Sequence, residues 1–141
     1  MATIDPLAAV VVAAAADAGI AGQVSGQVGA AHKYGGSWSR GSKGLAIGLA
    51  GGLGEADLAD FRIRFEAACY GGNYADAFAV AAAVRAWVLA WRRQLVTTSA
   101  GDVLVRDLWV DVEPNRSYDR DLDMPVYLFF FNGLIYTQPV T

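Results

Sequence analysis

From Phe61 to Tyr70 the sequence FRIRFEAACY alternates strictly, with Phe61, Ile63, Phe65, Ala67 and Cys69 on one side and Arg62, Arg64, Glu66 and Tyr70 on the other. Successive side chains of an extended chain point to opposite faces, so this segment predicts a strand with one buried and one wet face. Strands of that kind belong to antiparallel sheets that helices cover on one side. The strand stops at Gly71-Gly72-Asn73, and a helical pattern starts at once. Asn73 is a good N-cap. Beyond it Val80, Val84, Trp87, Val88, Trp91 and Leu95 form one apolar stripe of a helix from about Tyr74 to Gln94, with Arg85, Arg92 and Arg93 outside the stripe.

The remaining segments fit around this unit. Asp5 before Pro6 supplies a cap and a first-turn proline, predicting a helix from Pro6 to Ala18 that stops at Gly19. Leu7, Val10, Val11 and Ala14 make its inward face. No basic residue precedes this stretch, Asp17 interrupts it, and the apolar run Leu7–Ala16 falls short of the roughly 20 residues that span a bilayer. A buried helix is therefore expected, with no membrane contact. Two short strands are expected near Gln27–His32 and Gly44–Ala50. VLVRDLWVDVE reads as a strand with Leu104, Leu108, Val110 and Val112 on one face and Val103, Val105, Asp107, Trp109 and Asp111 on the other. A polar loop, EPNRSYDRDLDMP, separates it from a last strand that is apolar on both faces from Val126 to Phe131, and so belongs mid-sheet or beneath a neighbour. The order αβββαββ predicts an α+β fold: one domain over residues 1–141, with a single mainly antiparallel sheet of about five strands packed by two helices.

Chemistry is sparse. The Gly71-Gly72 corner has the strand–turn–helix layout of a phosphate cradle, but no lysine or hydroxyl follows its glycines and no G-x-G-x-x-G is present. Asp76 already puts negative charge in the first turn of the helix, so a structural corner is the expectation. Asp119, Asp121 and Asp123 open like a calcium loop, yet Met124 and Phe130 stand where the required Gly and Glu should be, and Arg116 and Arg120 lie beside them. His32 is the only histidine and Cys69 the only cysteine, so no internal disulfide forms, as suits a reducing compartment. Cys69 is expected to be inert packing, and no serine sits in a G-x-S-x-G elbow. The expectation is a chain that is not an enzyme, with no catalytic residue, cofactor or metal. A net charge of −3 argues against a phosphate-gripping role. With 55% hydrophobic and only 18% charged residues, the surface is thinly charged for a free monomer, which suits subunits that cover one another.

The glycine-rich basic segment at about 33–44, KYGGSWSRGSKG, carries Lys33, Arg40 and Lys43 and no acid. It is expected to be a flexible surface loop, for which two readings stand: a solvated connection, or an arm that orders against a partner with Trp38 as its anchor.

Read in order, the chain resembles the tail terminator (tail completion) proteins of long-tailed bacteriophages. The likeness rests on PLAAVVVAAAADAG, on FRIRFEAACYGGNY closing at its aromatic–glycine corner, on the alanine-studded ADAFAVAAAVRAWVLAW, and on VEPNRSYDRDLDMP between the last strands, over roughly residues 5–137. It implies a structural virion protein at the head–tail junction, assembled in the host cytoplasm. In that role a homo-oligomer, a hexameric ring, caps the tail tube protein and meets the head–neck connector protein, while DNA passes through the lumen without specific binding. Trp38, Arg40 and Lys43, and Arg116, Asp119, Arg120 and Asp121, are the candidate partner contacts. A head-completion connector or stopper, and a small α+β ligand-binding domain or enzyme, are the alternatives.

Overall fold

The computed structural model describes residues 5–54 and 60–136. In chain order the elements are α1 (Pro6–Ala16), α2 (Ala18–Val24), β1 (Val28–Gly29), β2 (Gly44–Gly54), β3 (Asp60–Tyr70), α3 (Tyr74–Ala90), β4 (Gln94–Thr98), β5 (Gly101–Asp119) and β6 (Met124–Tyr136). The strands form one sheet in the order β1-β2-β3-β6-β5-β4. All neighbours are antiparallel except β1, which runs parallel to β2, so this α+β sheet is mixed.

The central place of β6 follows from its composition. Flanked by β3 and β5, it buries Phe129, Phe131 and Ile135 on the helix side and Met124 and Val126 on the other. Phe131 is the hub: its ring stacks on Phe65 of β3 at 5.2 Å and meets the edge of Trp87 of α3 at 5.8 Å. Burying each such side chain contributes about 1.5–3 kcal/mol. The strict alternation of β3 holds at Ile63, Phe65, Ala67 and Cys69, all buried against the helices; the Phe61 side chain lies outside the described residues.

Several sequence expectations need correction. The first helix ends at Ala16, short of the expected Ala18, and a third helix, Ala18–Val24, runs through the expected stop at Gly19. Asp17 causes both events. Its extended backbone closes α1, and its Oδ2 accepts the Ile20 N–H at 3.0 Å to start α2, which turns away by 81°. Burial of Ile20 and Val24, one turn apart, then outweighs the two glycines inside that helix.

Second, α3 stops at Ala90, and Gln94–Thr98 form a sixth strand. Trp91 leaves helical geometry while its indole Nε1–H donates to the Val105 carbonyl at 3.1 Å, and this bond steers the chain onto the sheet edge. Leu95 therefore belongs to β4, where it is exposed, and not to the helix stripe.

Third, most of the polar segment after Glu113 is strand: β5 runs to Asp119, and only a short turn precedes Met124. Asn115, Arg116 and Ser117 pair with Leu128, Tyr127 and Val126. The ladder slips between Val112 and Asn115, which accommodates Pro114, a residue with no N–H to donate.

Fourth, a further slip between Val105 and Asp107 reverses the faces of β5. Val103, Val105 and Leu108 enter the core, whereas Leu104 and Val112 lie outside it. The expected Gln27–His32 strand shortens to Val28–Gly29.

The glycine corner is a packing requirement. A Cβ on Gly71 would stand within contact-forbidden range of the Ala77 amide and 2.7 Å from the Asp76 Cβ; one on Gly72 would meet the Gly41 carbonyl at 2.7 Å. The helix start is already served, since Asn73 Oδ1 accepts the Asp76 N–H at 2.9 Å and the Asn73 carbonyl accepts that of Ala77. Among the described residues no single helix is long and apolar enough to cross a membrane.

Candidate interaction surfaces

The two segments singled out from the sequence as partner contacts meet at one end of the sheet. Tyr34 and Trp38 of the basic segment and Leu122 of the β5–β6 turn share a buried cluster with Ala46, Ala68, Tyr70 and with Met124 and Val126 of β6, on the face opposite the helices. Trp38 is only 6% exposed, and its ring meets Tyr34 edge-on at 5.2 Å. It is a core residue of this cluster, which corrects the reading of an exposed anchor. Its indole carbons Cε3 and Cζ3 lie 3.0 Å from the position a Cβ on Gly44 would take, so the glycine that opens β2 makes room for it.

The segment is fastened at several points and is not a free arm. The Tyr34 hydroxyl donates to the Ser42 carbonyl at 2.9 Å, the Trp38 N–H to the Lys33 carbonyl at 3.0 Å, and the Gln27 amide to the Lys43 carbonyl at 2.6 Å. Gly35 and Gly41 turn the chain at φ of 87° and 82°, where only glycine is comfortable. Burial pushes the Tyr34 hydroxyl up to about 12. Tyr70 rises by burial first and then through the neighbouring Asp119 carboxylate, to which its hydroxyl donates at 3.1 Å.

The charged candidates divide by role. Arg40 is exposed, and Lys43 Nζ donates to Gln23 Oε1 at 2.9 Å. Arg116 lies over the Tyr74 ring at 4.0 Å. Asp119 is a turn residue: its Oδ1 accepts the N–H groups of Asp121 and Leu122, both at 3.1 Å. Asp123, at φ 55°, accepts from the Tyr118 hydroxyl. The carboxylates that resemble a calcium loop thus shape a hairpin tip, leaving Arg120 and Asp121 outermost and exposed. Cys69 belongs to the helix-side core, where burial pushes its thiol up, whereas the rings beside His32 are Tyr34 and Tyr70 of the opposite cluster. The sheet separates the two. Among the described residues, no three His, Cys, Asp or Glu side chains gather as a metal site.

Surfaces absent from the sequence reading are the more prominent ones. On α3 the outward residues Phe78, Ala82, Ala86 and Leu89 recur at helical spacing, and Phe78 and Leu89 are 52% and 55% exposed. Beside them runs β5 with Glu113 and Pro114, and the rim charge is closed by Arg85, whose Nε donates to Glu113 at 2.7 Å. That bond lowers the Glu113 carboxyl and raises the Arg85 guanidinium from their ordinary values. The signal was present as a second apolar stripe on the same helix. It was masked because alanine fills both the inner and outer positions.

The uncovered part of the far sheet face forms another surface. Arg64 lies over Phe130 at 4.3 Å and bridges to Asp111 at 2.6 Å, while Arg62 lies over Trp109 at 5.7 Å. Aromatic rings remain half exposed there, with arginine and carboxylate charges in balance. At the opposite end from the basic segment, α1, the end of α3 and β4 border a groove of about 530 Å³ lined by Val12, Ala13, Trp87, Trp91, Arg92 and the edge of β4. Val12, Ala13, Trp87 and Trp91 make its apolar side, and among the described residues β4 is the outermost strand of the sheet there.

Compared with known proteins, the chain matches no family model and no curated protein.

Proposed function

We propose that the chain is a structural, non-enzymatic subunit of a phage or phage-derived particle: a tail terminator whose copies form a ring on the tail tube and join it to the neck. The observation that carries this reading is the amount of apolar surface left outward on regular, well-packed elements. Phe78 and Leu89 on α3, Leu95 on β4 and Val112 on β5 are all more than a third exposed. Of these, Phe78 and Leu89 join Ala82, Ala86 and Pro114 in one contiguous apolar surface, and such surfaces rimmed by polar residues mark contacts with other chains. The balanced charges of the open sheet face also suit a wall along which DNA slides without being held. Arg40, exposed in the basic segment at the end where the two polar segments meet, is offered to the tube or the neck.

Producing the particle without this protein tests the reading. Tubes of uncontrolled length, with heads left unattached, are the expected result in electron micrographs, and purified protein added back restores joined particles. Tubes of normal length without heads would move the protein to the neck connector. Normal infectious particles would remove it from assembly altogether.

A further inference from the structure

We infer that copies of this chain join head to tail, the β5–β6 hairpin tip of one copy seating in the groove between α1, α3 and β4 of the next. The proposal deepens the ring reading and rests on it only for closure of the chain of contacts. Two complementary shapes lie at opposite ends of one molecule. β4 pairs only with the first residues of β5, Gly101–Val105, and the tip follows Asp119 at the far end of that strand. At about 3.3 Å per residue the two are roughly 45 Å apart, so a tip cannot reach its own groove. A contact between two different patches repeats from copy to copy, closing as a ring or growing as a filament according to its rotation.

The tip fits the occupant the groove requires. Tyr118 is 46% exposed at its base, an aromatic with a polar end of the type that anchors interfaces. The groove's apolar lining, with Val12, Ala13 and Trp91, has room for such a ring. Charge agrees in sign. Asp121 and Asp123 outnumber Arg120 on the tip, whereas Arg92 in the groove wall and the adjacent exposed Arg93 outnumber Asp17, whose Oδ2 already accepts the Ile20 N–H. The Arg92 guanidinium, which donates to the carbonyls of Ala90 and Trp91, is held at the groove mouth. The tip itself is pre-shaped, because Asp119 ties down its backbone and Leu122 pins it to the cluster beneath. A rigid tip loses little freedom on docking.

The test uses the full chain carrying both Tyr118→Cys and Val12→Cys, a groove residue 41% exposed, with Cys69 left in its buried site, oxidised at high concentration and run without reductant. A ladder of cross-linked species is expected, ending at one ring size, while a mixture of the two single variants stops at two copies. In sedimentation velocity, Asp121→Arg and Arg92→Glu each weaken association about tenfold, and mixing these two variants restores part of the loss. Assembly of the unmodified chain, with no cross-link between positions 118 and 12 in the double variant and no response to either charge reversal, would overturn this contact while leaving the ring reading in place. A double variant whose cross-linking stops at two copies keeps the contact and removes the ring. An unmodified chain that stays monomeric at every concentration, with no cross-link, overturns both.

Discussion

Replacing Trp38 by alanine separates a core residue from an interface anchor, and the structure sets the size of the effect. Trp38 is 6% exposed, its ring edge meets Tyr34 at 5.2 Å, and Gly44 lies against its six-membered ring. Truncating an enclosed Trp costs about 3–5 kcal/mol, of which an aromatic edge contact supplies about 0.5–1.5. The cluster is small and lies under a loop that can partly collapse into the void, so the lower end applies, about 3 kcal/mol. For a domain of 141 residues that lowers the melting temperature by roughly 10 °C. Urea denaturation followed by circular dichroism measures the loss, and it must appear in the isolated protein with no partner present. Hydrogen exchange supplies a local check, since the Trp38 N–H bonded to the Lys33 carbonyl should lose protection. A loss below about 1 kcal/mol, with folding intact and only assembly impaired, would refute the reasoning and return Trp38 to the role of an exposed anchor.

Three further outcomes follow from the same structure. Gly71→Ala places a methyl group against the start of α3 and should cost about 1–3 kcal/mol or more in denaturant titration, because backbone and not a flexible tip stands in the way. An unchanged midpoint would mean that the corner is loose. Phe78→Asp or Leu89→Asp, on the outer stripe of α3, should leave monomer stability within about 0.5 kcal/mol yet change the oligomer distribution in sedimentation; an unaltered distribution would show that this stripe faces water in the assembly. Alkaline titration tests the buried hydroxyl of Tyr34, raised to about 12 against an unfolded value near 10. The unfolded chain releases this proton first, so the contribution of Tyr34 is intact below about pH 10 and is lost as the pH climbs to about 12. Tyr34→Phe should flatten that part of the stability curve, with tyrosinate absorbance reporting the ionisation.

Local rules made much of this architecture legible. The alternation of β3, the Asn73 cap of α3, the Asp5-Pro6 start of α1 and the central position of β6 are each written in a short run of residues. Each depends on side-chain period, a cap or composition, and needs no knowledge of distant partners. The corner at Gly71-Gly72 was equally readable, since the residues that would make it a phosphate cradle are missing from the chain itself.

Tertiary contacts decided the rest. Leu104 and Val105 are equally apolar, and only the slip in the ladder with β6 determines which of them enters the core. Glu113–Asp119 is polar enough to pass for a loop, but β6 needs a partner on its open side and takes it as strand. Trp38 looked like an exposed aromatic in a glycine-rich stretch. What buries it is a cluster assembled from Tyr34, Tyr70, Leu122 and Met124, residues brought together only by the folded sheet. The outward stripe of α3 was undecided for the converse reason: alanine on every side of a helix leaves its buried face unmarked until the sheet packs against one of them. Sequence thus specifies period and punctuation, which are local. Register, burial and exposed surface belong to pairs of distant segments, and only the folded chain assigns them.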